Sequence, residues 1–119
     1  MQWNGNAFAG FSASKSWIKV NPDNRQVNVL DLTKNTGSIL NLYKALIALR
    51  NREPVLQYGS YERLEFKDGQ ILFTRYFASE KITTLLNFGK ENKAVLPAGA
   101  KILMGAPELK TNGFVIYKN

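Results

Sequence analysis

Apolar residues recur at intervals of three and four in one stretch of the chain. Ile39, Leu42, Tyr43, Leu46, Ile47 and Leu49 form that series, and Leu40 widens it. Such spacing lays a stripe along one face of a helix, so an amphipathic helix is predicted over 38–52. Its interior Leu, Ala, Lys and Arg residues are good helix formers. Asn35 or Ser38 supplies the N-cap. Arg50 and Arg52 lie where the helix dipole is negative, and Pro54 stops the run.

Beyond the helix the period changes from helical to strand-like. Tyr61–Phe66 alternates, Asp68-Gly69 carries the strongest short-range hairpin signal, and Ile71–Phe77 follows. Further short strands are predicted at Lys81–Phe88, Lys93–Leu96, Lys101–Met104 and Phe114–Lys118. Even spacing with turn punctuation predicts an antiparallel sandwich or barrel. Residues 1–37 show neither period. Turn signals at Asn4-Gly5, Ala9-Gly10, Asn21–Asn24 and Asn35–Gly37 break them up, leaving Ser16–Val20 and Gln26–Leu30 as short extended pieces. The expected fold is mainly β: an antiparallel β-sandwich preceded by one amphipathic helix and an irregular N-terminal segment.

Composition narrows the chemistry. The chain has 119 residues, no histidine and no cysteine. That excludes thiol nucleophiles, disulfides, imidazole bases and thiolate or imidazole metal sites. The net charge is +7, but the sixteen basic residues run evenly from Lys15 to Lys118. A phosphate-binding face needs clustered charge, so no nucleic acid is expected. The apolar runs are too short to span a bilayer, so no membrane is expected. The first residues show neither a charged n-region nor an apolar h-region. With no cysteine, a cytoplasmic setting is expected.

Nine carboxylates are present, mostly on turns or polar strand faces. A glycosidase needs two across a cleft, one with a raised pKa, and no such pair stands out. Glu62 shares a predicted face with Leu64 and Phe66, yet a rim ion pair suits it best. Glycine-rich phosphate loops and calcium-loop spacing are absent, and no metal or cofactor is expected. Ser12–Lys15 has the SxxK spacing without its companion motifs and reads as a solvated loop. Trp3, Phe8, Phe11 and Trp17 are unusual in a segment without period. They either pack the loop onto a core or offer flat faces for stacking on a ligand.

The segments Met1-Gln2-Trp3-Asn4, Ala9-Gly10-Phe11-Ser12, Trp17–Pro22 and Val27-Asn28-Val29 follow one another along the first third of the chain. Together they resemble glycoside hydrolase family 13, in its subgroup of α-glucosidases, oligo-1,6-glucosidases and trehalose-converting enzymes. Ser38–Arg50 looks like that family's last barrel helix, Pro54–Gly59 like its exit into a C-terminal β-domain, and Leu85-Leu86-Asn87-Phe88 like a strand of that domain. Phe8 stands where the family usually has Asn, and Asn4 where Asp is commoner.

The resemblance implies a (β/α)8 barrel enzyme that hydrolyses α-glucosidic bonds with retention. Its Asp nucleophile, Glu acid/base, second Asp and two His all lie upstream of this segment. Residues 1–53 would be a remnant of the barrel, with loop 1–37 and helix 38–52, and 54–119 the C-terminal β-domain. The chain alone would be inactive, a buttress for a catalytic barrel in cis. Gln2, Trp3 and Asn4 would rim the pocket for an α-linked gluco-oligosaccharide, since barrel active sites are built from the loops after the strands. An alternative is a non-catalytic carbohydrate-binding module, which needs coplanar exposed aromatics such as Tyr58, Tyr61 and Tyr76. Without a barrel, the helix stripe of Ile39, Leu42, Tyr43, Leu46 and Leu49 would be left partly bare, and self-association through helix 38–52 is expected.

Overall fold

The computed structural model describes all residues, 1–119. The chain divides into two compact units, Met1–Ala48 and Leu49–Asn119.

The first unit is built on side-chain caps. A 3-10 turn, Pro22–Arg25, is capped by Asn21. Helix α1, Val29–Lys34, is capped by Asn28, whose Oδ1 accepts from the Asp31 N–H at 3.0 Å. The same Asn28 is buried, and its Nδ2 donates to the Asn24 carbonyl and to Asp31 Oδ2. Asn24 in turn donates to the Asn6 carbonyl at 2.8 Å. Each amide satisfies backbone groups that a turn or helix end leaves open. Ser16–Val20 forms no strand, and Gln26–Leu30 is a turn running into α1 rather than an extended piece. Period alone missed α1 because its six residues are too few to display one.

Helix α2, Ile39–Arg52, matches its predicted span. Ser38 starts it, with Oγ accepting from the Asn41 N–H at 3.2 Å and donating to the Leu32 carbonyl at 2.6 Å. Pro54 does not lead into extended chain. It occupies the first turn of a further helix, α3, Pro54–Tyr58, where a missing N–H costs nothing.

The second unit is mainly β. Strands β1 (Ser60–Lys67), β2 (Gln70–Phe77), β3 (Glu80–Asn87), β4 (Asn92–Lys93), β5 (Lys101–Gly105), β6 (Glu108–Leu109) and β7 (Gly113–Lys118) follow α3. All pairing is antiparallel: one five-stranded sheet in the order β1-β2-β3-β7-β5, and a two-stranded ladder of β4 with β6. The Asp68-Gly69 hairpin forms as predicted, pairing Phe66 with Ile71 and Lys67 with Gln70. Both turn residues have positive φ, +52° and +75°, as the hairpin-favouring turn demands. The next hairpin turns on Ala78 and Ser79, also at positive φ.

Register sorts the sheet's two faces. Val115, Tyr117 and Leu85 lie on one, and there Ala94, Leu96, Ala100 and Leu109 close a core under the short ladder. Ile82 and Ile116 are buried on the other, which carries α3. On that side Arg75 donates to the carbonyls of Leu56 and Gly59, both at 2.6 Å. The result is a lopsided antiparallel sandwich with no closed barrel. Asn87, fully buried, donates to the carbonyls of Lys90, Leu109 and Lys110 and accepts from the Gly89 N–H. It ties the end of β3 to the strand-poor segment beyond it.

Candidate functional site

Residues 1–21 fold back on themselves through short backbone links. The N–H groups of Trp3 and Asn4 both donate to the Ala9 carbonyl, and Val29 and Leu30 donate to the carbonyls of Gln2 and Trp3. Ala9 takes a positive φ, as does Gly10. A Cβ on Gly10 would lie 2.5 Å from Asn4 Nδ2, so this turn requires glycine.

The fold forms an open cavity of about 330 Å³ lined by Met1, Gln2, Ala9, Phe11, Ile18, Lys19, Val20 and Asn21. Its size is at the low end for small-molecule sites. Gln2 is held there by donation from Nε2 to Asp23 Oδ1 at 2.6 Å. Trp3 and Asn4 do not line it. Trp3 is half-exposed, while Asn4 is turned into its own loop, accepting from the Asn6 N–H at 3.0 Å. Of the unusual aromatics Phe11 reaches the cavity, whereas Trp17 is 90% exposed. Sequence reasoning missed Ile18–Asn21 as lining. The signal was present, since these residues sit inside the Trp17–Pro22 motif.

The lining is mainly apolar, with Gln2, Lys19 and Asn21 as its polar members. The N-terminal unit carries two carboxylates, Asp23 and Asp31, and each accepts from an amide side chain. Neither forms an acid/base pair across a cleft. In the β-unit, Glu62 is exposed and paired with Lys81 at 2.7 Å, the rim role expected of it. Glu65 accepts two 2.8 Å hydrogen bonds from Arg63. These hold its carboxyl below the usual range and raise the guanidinium pKa in return. No cluster of three Asp or Glu exists that could hold a metal ion.

The carbohydrate-module alternative loses its platform. Tyr58 ends α3 rather than a strand, and Tyr61 pairs with Arg75. Tyr76, next along β2, faces the opposite side of the sheet. The three rings share no plane.

A capped loop, one long helix and an antiparallel β-domain make up this chain, and comparison with known proteins gives the family. Residues 1–59 match the model of the α-amylase catalytic domain. The chain belongs to the α-amylase family, glycoside hydrolase family 13. It is 37% identical over 92 residues to an oligo-1,6-glucosidase of Bacillus cereus, spanning 76% of this chain and 16% of that protein. It is 34% identical over 113 residues to a glucan 1,6-α-glucosidase of Streptococcus dysgalactiae subsp. equisimilis, spanning 94% of this chain and 20% of that one. The trehalulose synthase MutB of Pseudomonas mesoacidophila MX-45 superposes with a TM-score of 0.83 at 28% identity, over 98% of this chain and 24% of its own. A variant of that synthase is known in complex with isomaltulose. The chain thus spans about a sixth to a quarter of the proteins it matches.

Proposed function

We propose that this chain is the C-terminal portion of a retaining α-glucosidase acting on α-linked gluco-oligosaccharides, with residues 1–53 completing a catalytic barrel in cis and 54–119 buttressing it. The observation that carries the reading is the outer face of α2. Ile39, Tyr43 and Ile47, spaced four apart, are all exposed, with Leu42 beside them. They lie in the segment that matches a catalytic-domain model. A helix packed against barrel strands needs such a stripe; a helix made for solvent does not. The stripe differs from the expected one at its C-terminal end, where Leu49 is buried and Leu46 half-buried. Gln2 joins the pocket rim in this reading. Trp3 and Asn4 serve it through the turn they form with Ala9.

The purified chain is expected to give no turnover of 4-nitrophenyl α-glucoside. Added to a family member lacking the matching C-terminal portion, it is expected to restore hydrolysis, and Ile47→Lys to prevent that. Turnover by the chain alone that survives repurification overturns the reading. By itself the chain is expected to self-associate through α2. Light scattering at rising concentration measures this, with Ile47→Lys lowering the apparent mass.

A further inference from the structure

Strand β1 lies at the end of the sheet order and pairs on one side only, with β2. All eight of its residues are exposed. Leu64 and Phe66 are 71% and 75% exposed, and Tyr61 is nearly as open. A long exposed edge can take a further strand, and the charges on this one, Glu62, Arg63, Glu65 and Lys67, restrict which strand that is. The two-residue hairpin fixes which backbone groups are free. Lys67 and Gln70 flank the turn and exchange both their hydrogen bonds, so Glu65 and Arg63 do the same with Leu72 and Thr74. The N–H and C=O groups of Leu64 and Phe66 therefore point to the open edge.

Charge then selects the partner. Two identical antiparallel strands pair about a two-fold axis, and partners must share a face, so the axis passes through one residue. Centred on Glu65 or on Arg63, the pairing would set like charges opposite each other. Centred on Phe66, it would run into the Asp68-Gly69 turn. Centred on Leu64, it sets Arg63 of each copy opposite Glu65 of the other. With the Arg63–Glu65 pair already formed within each strand at 2.8 Å, the four side chains close a ring of alternating charge. Leu64 meets its own copy on the other face.

We propose that β1 is a self-pairing edge that joins two copies of this chain into one continuous sheet, with Leu64 on the two-fold axis. The bulge after Tyr61 marks its end and limits the pairing to a short, specific ladder. This surface is separate from α2 and does not rest on the reading of the whole enzyme.

The test starts from the chain carrying Ile47→Lys, to remove association through α2. Sedimentation equilibrium is expected to show a monomer–dimer equilibrium. Arg63→Glu, which gathers four carboxylates at the axis, is expected to weaken it about tenfold or more. The charge swap Arg63→Glu with Glu65→Arg restores the alternating ring and the affinity. Both sites are exposed, and circular dichroism checks that the fold is kept. The chain has no cysteine, so register is read by cross-linking. Paired residues on the axis have Cα atoms about 5.5 Å apart, within disulfide reach, so Leu64→Cys is expected to form a linked dimer on mild oxidation. Glu65→Cys, with its copy on the diagonal at about 7–8 Å, is not. A monomer at every concentration, a dimer indifferent to Arg63→Glu, or equal cross-linking at 64 and 65 overturns the proposal.

Discussion

The two units of this chain are held by different forces. Between Leu49 and Asn119, apolar side chains do most of the work: Leu49, Val55, Ile82, Leu109 and Val115 are buried almost completely. Between Met1 and Ala48 the only buried apolar residue is Ala9, while Asn24, Asn28 and Ser38 are buried and hydrogen-bonded. A unit stitched by amides has a defined backbone path but little apolar burial to oppose the entropy of ordering it. A loop that rims a binding pocket needs shape more than stability. The β-unit, with its apolar core, has the burial that the first unit lacks.

The strongest way to break this contrast is to open the apolar core. Leu109→Ala removes a fully buried side chain and is expected to cost about 2–5 kcal/mol, read as a lower urea midpoint for the strand signal. If the cost is within noise, the β-unit is not held by that core. Next comes the polar unit. Asn28→Ala removes the cap of α1 and the bonds to Asn24 and Asp31, at about 1–3 kcal/mol. Faster amide exchange is expected across 24–34, with strands β2 and β3 unchanged. Protection in 1–35 equal to that of β3 in the unaltered chain would sink the contrast outright.

A smaller effect separates the two hairpins. Asp68-Gly69 suits a turn in which both residues have positive φ. Ala78 and Ser79 adopt the same region at +48° and +69°, which is strained for a residue with a Cβ, and only Ser79 has a local side-chain hydrogen bond, to the Ala78 carbonyl. Ala78→Asn with Ser79→Gly is expected to stabilise the β-unit by about 1 kcal/mol, seen as a higher thermal midpoint. No gain would mean that neighbouring strands already dictate this turn.

These same contrasts explain what was legible in the sequence. Helix α2 and the first hairpin were readable because fourteen residues of period and an Asp-Gly pair are local signals. Helix α1 was not, since its support is an asparagine cap and the side chains of Asn41 and Ser38 reaching back to its last turn. Helix α3 was hidden by Pro54, which reads equally well as an end or a beginning. The two-residue strands β4 and β6 are set by packing over Val115 and Tyr117, which no local pattern encodes. At the loop, motif resemblance pointed to Gln2, Trp3 and Asn4 together. The fold puts only Gln2 at the cavity, because Asn4 is consumed by the turn that Gly10 permits.

The smallest expected effect sits where β7 ends. Lys118 donates to Glu80 at 2.7 Å and lies 3.5 Å from Glu53. The hydrogen bond to Glu80 raises its pKa first; burial works against this, and the charges of Glu80 and Glu53 add to the rise. A lysine whose folded pKa exceeds its unfolded one contributes stability in full below the unfolded value, about 10.4. That contribution is lost as pH climbs through the folded value. Stability should therefore hold at neutral pH and fall above roughly pH 10.4. Tyrosines ionise in the same range, so the difference between the unaltered chain and Lys118→Gln isolates this group. The variant is expected to be slightly less stable at neutral pH, and the gap to close as pH rises. A gap that stays constant to high pH would mean that Lys118 acts through packing of its stem. The joint between α3, β3 and β7 would then be apolar like the rest of the β-unit, without the one ion-pair network that now distinguishes it.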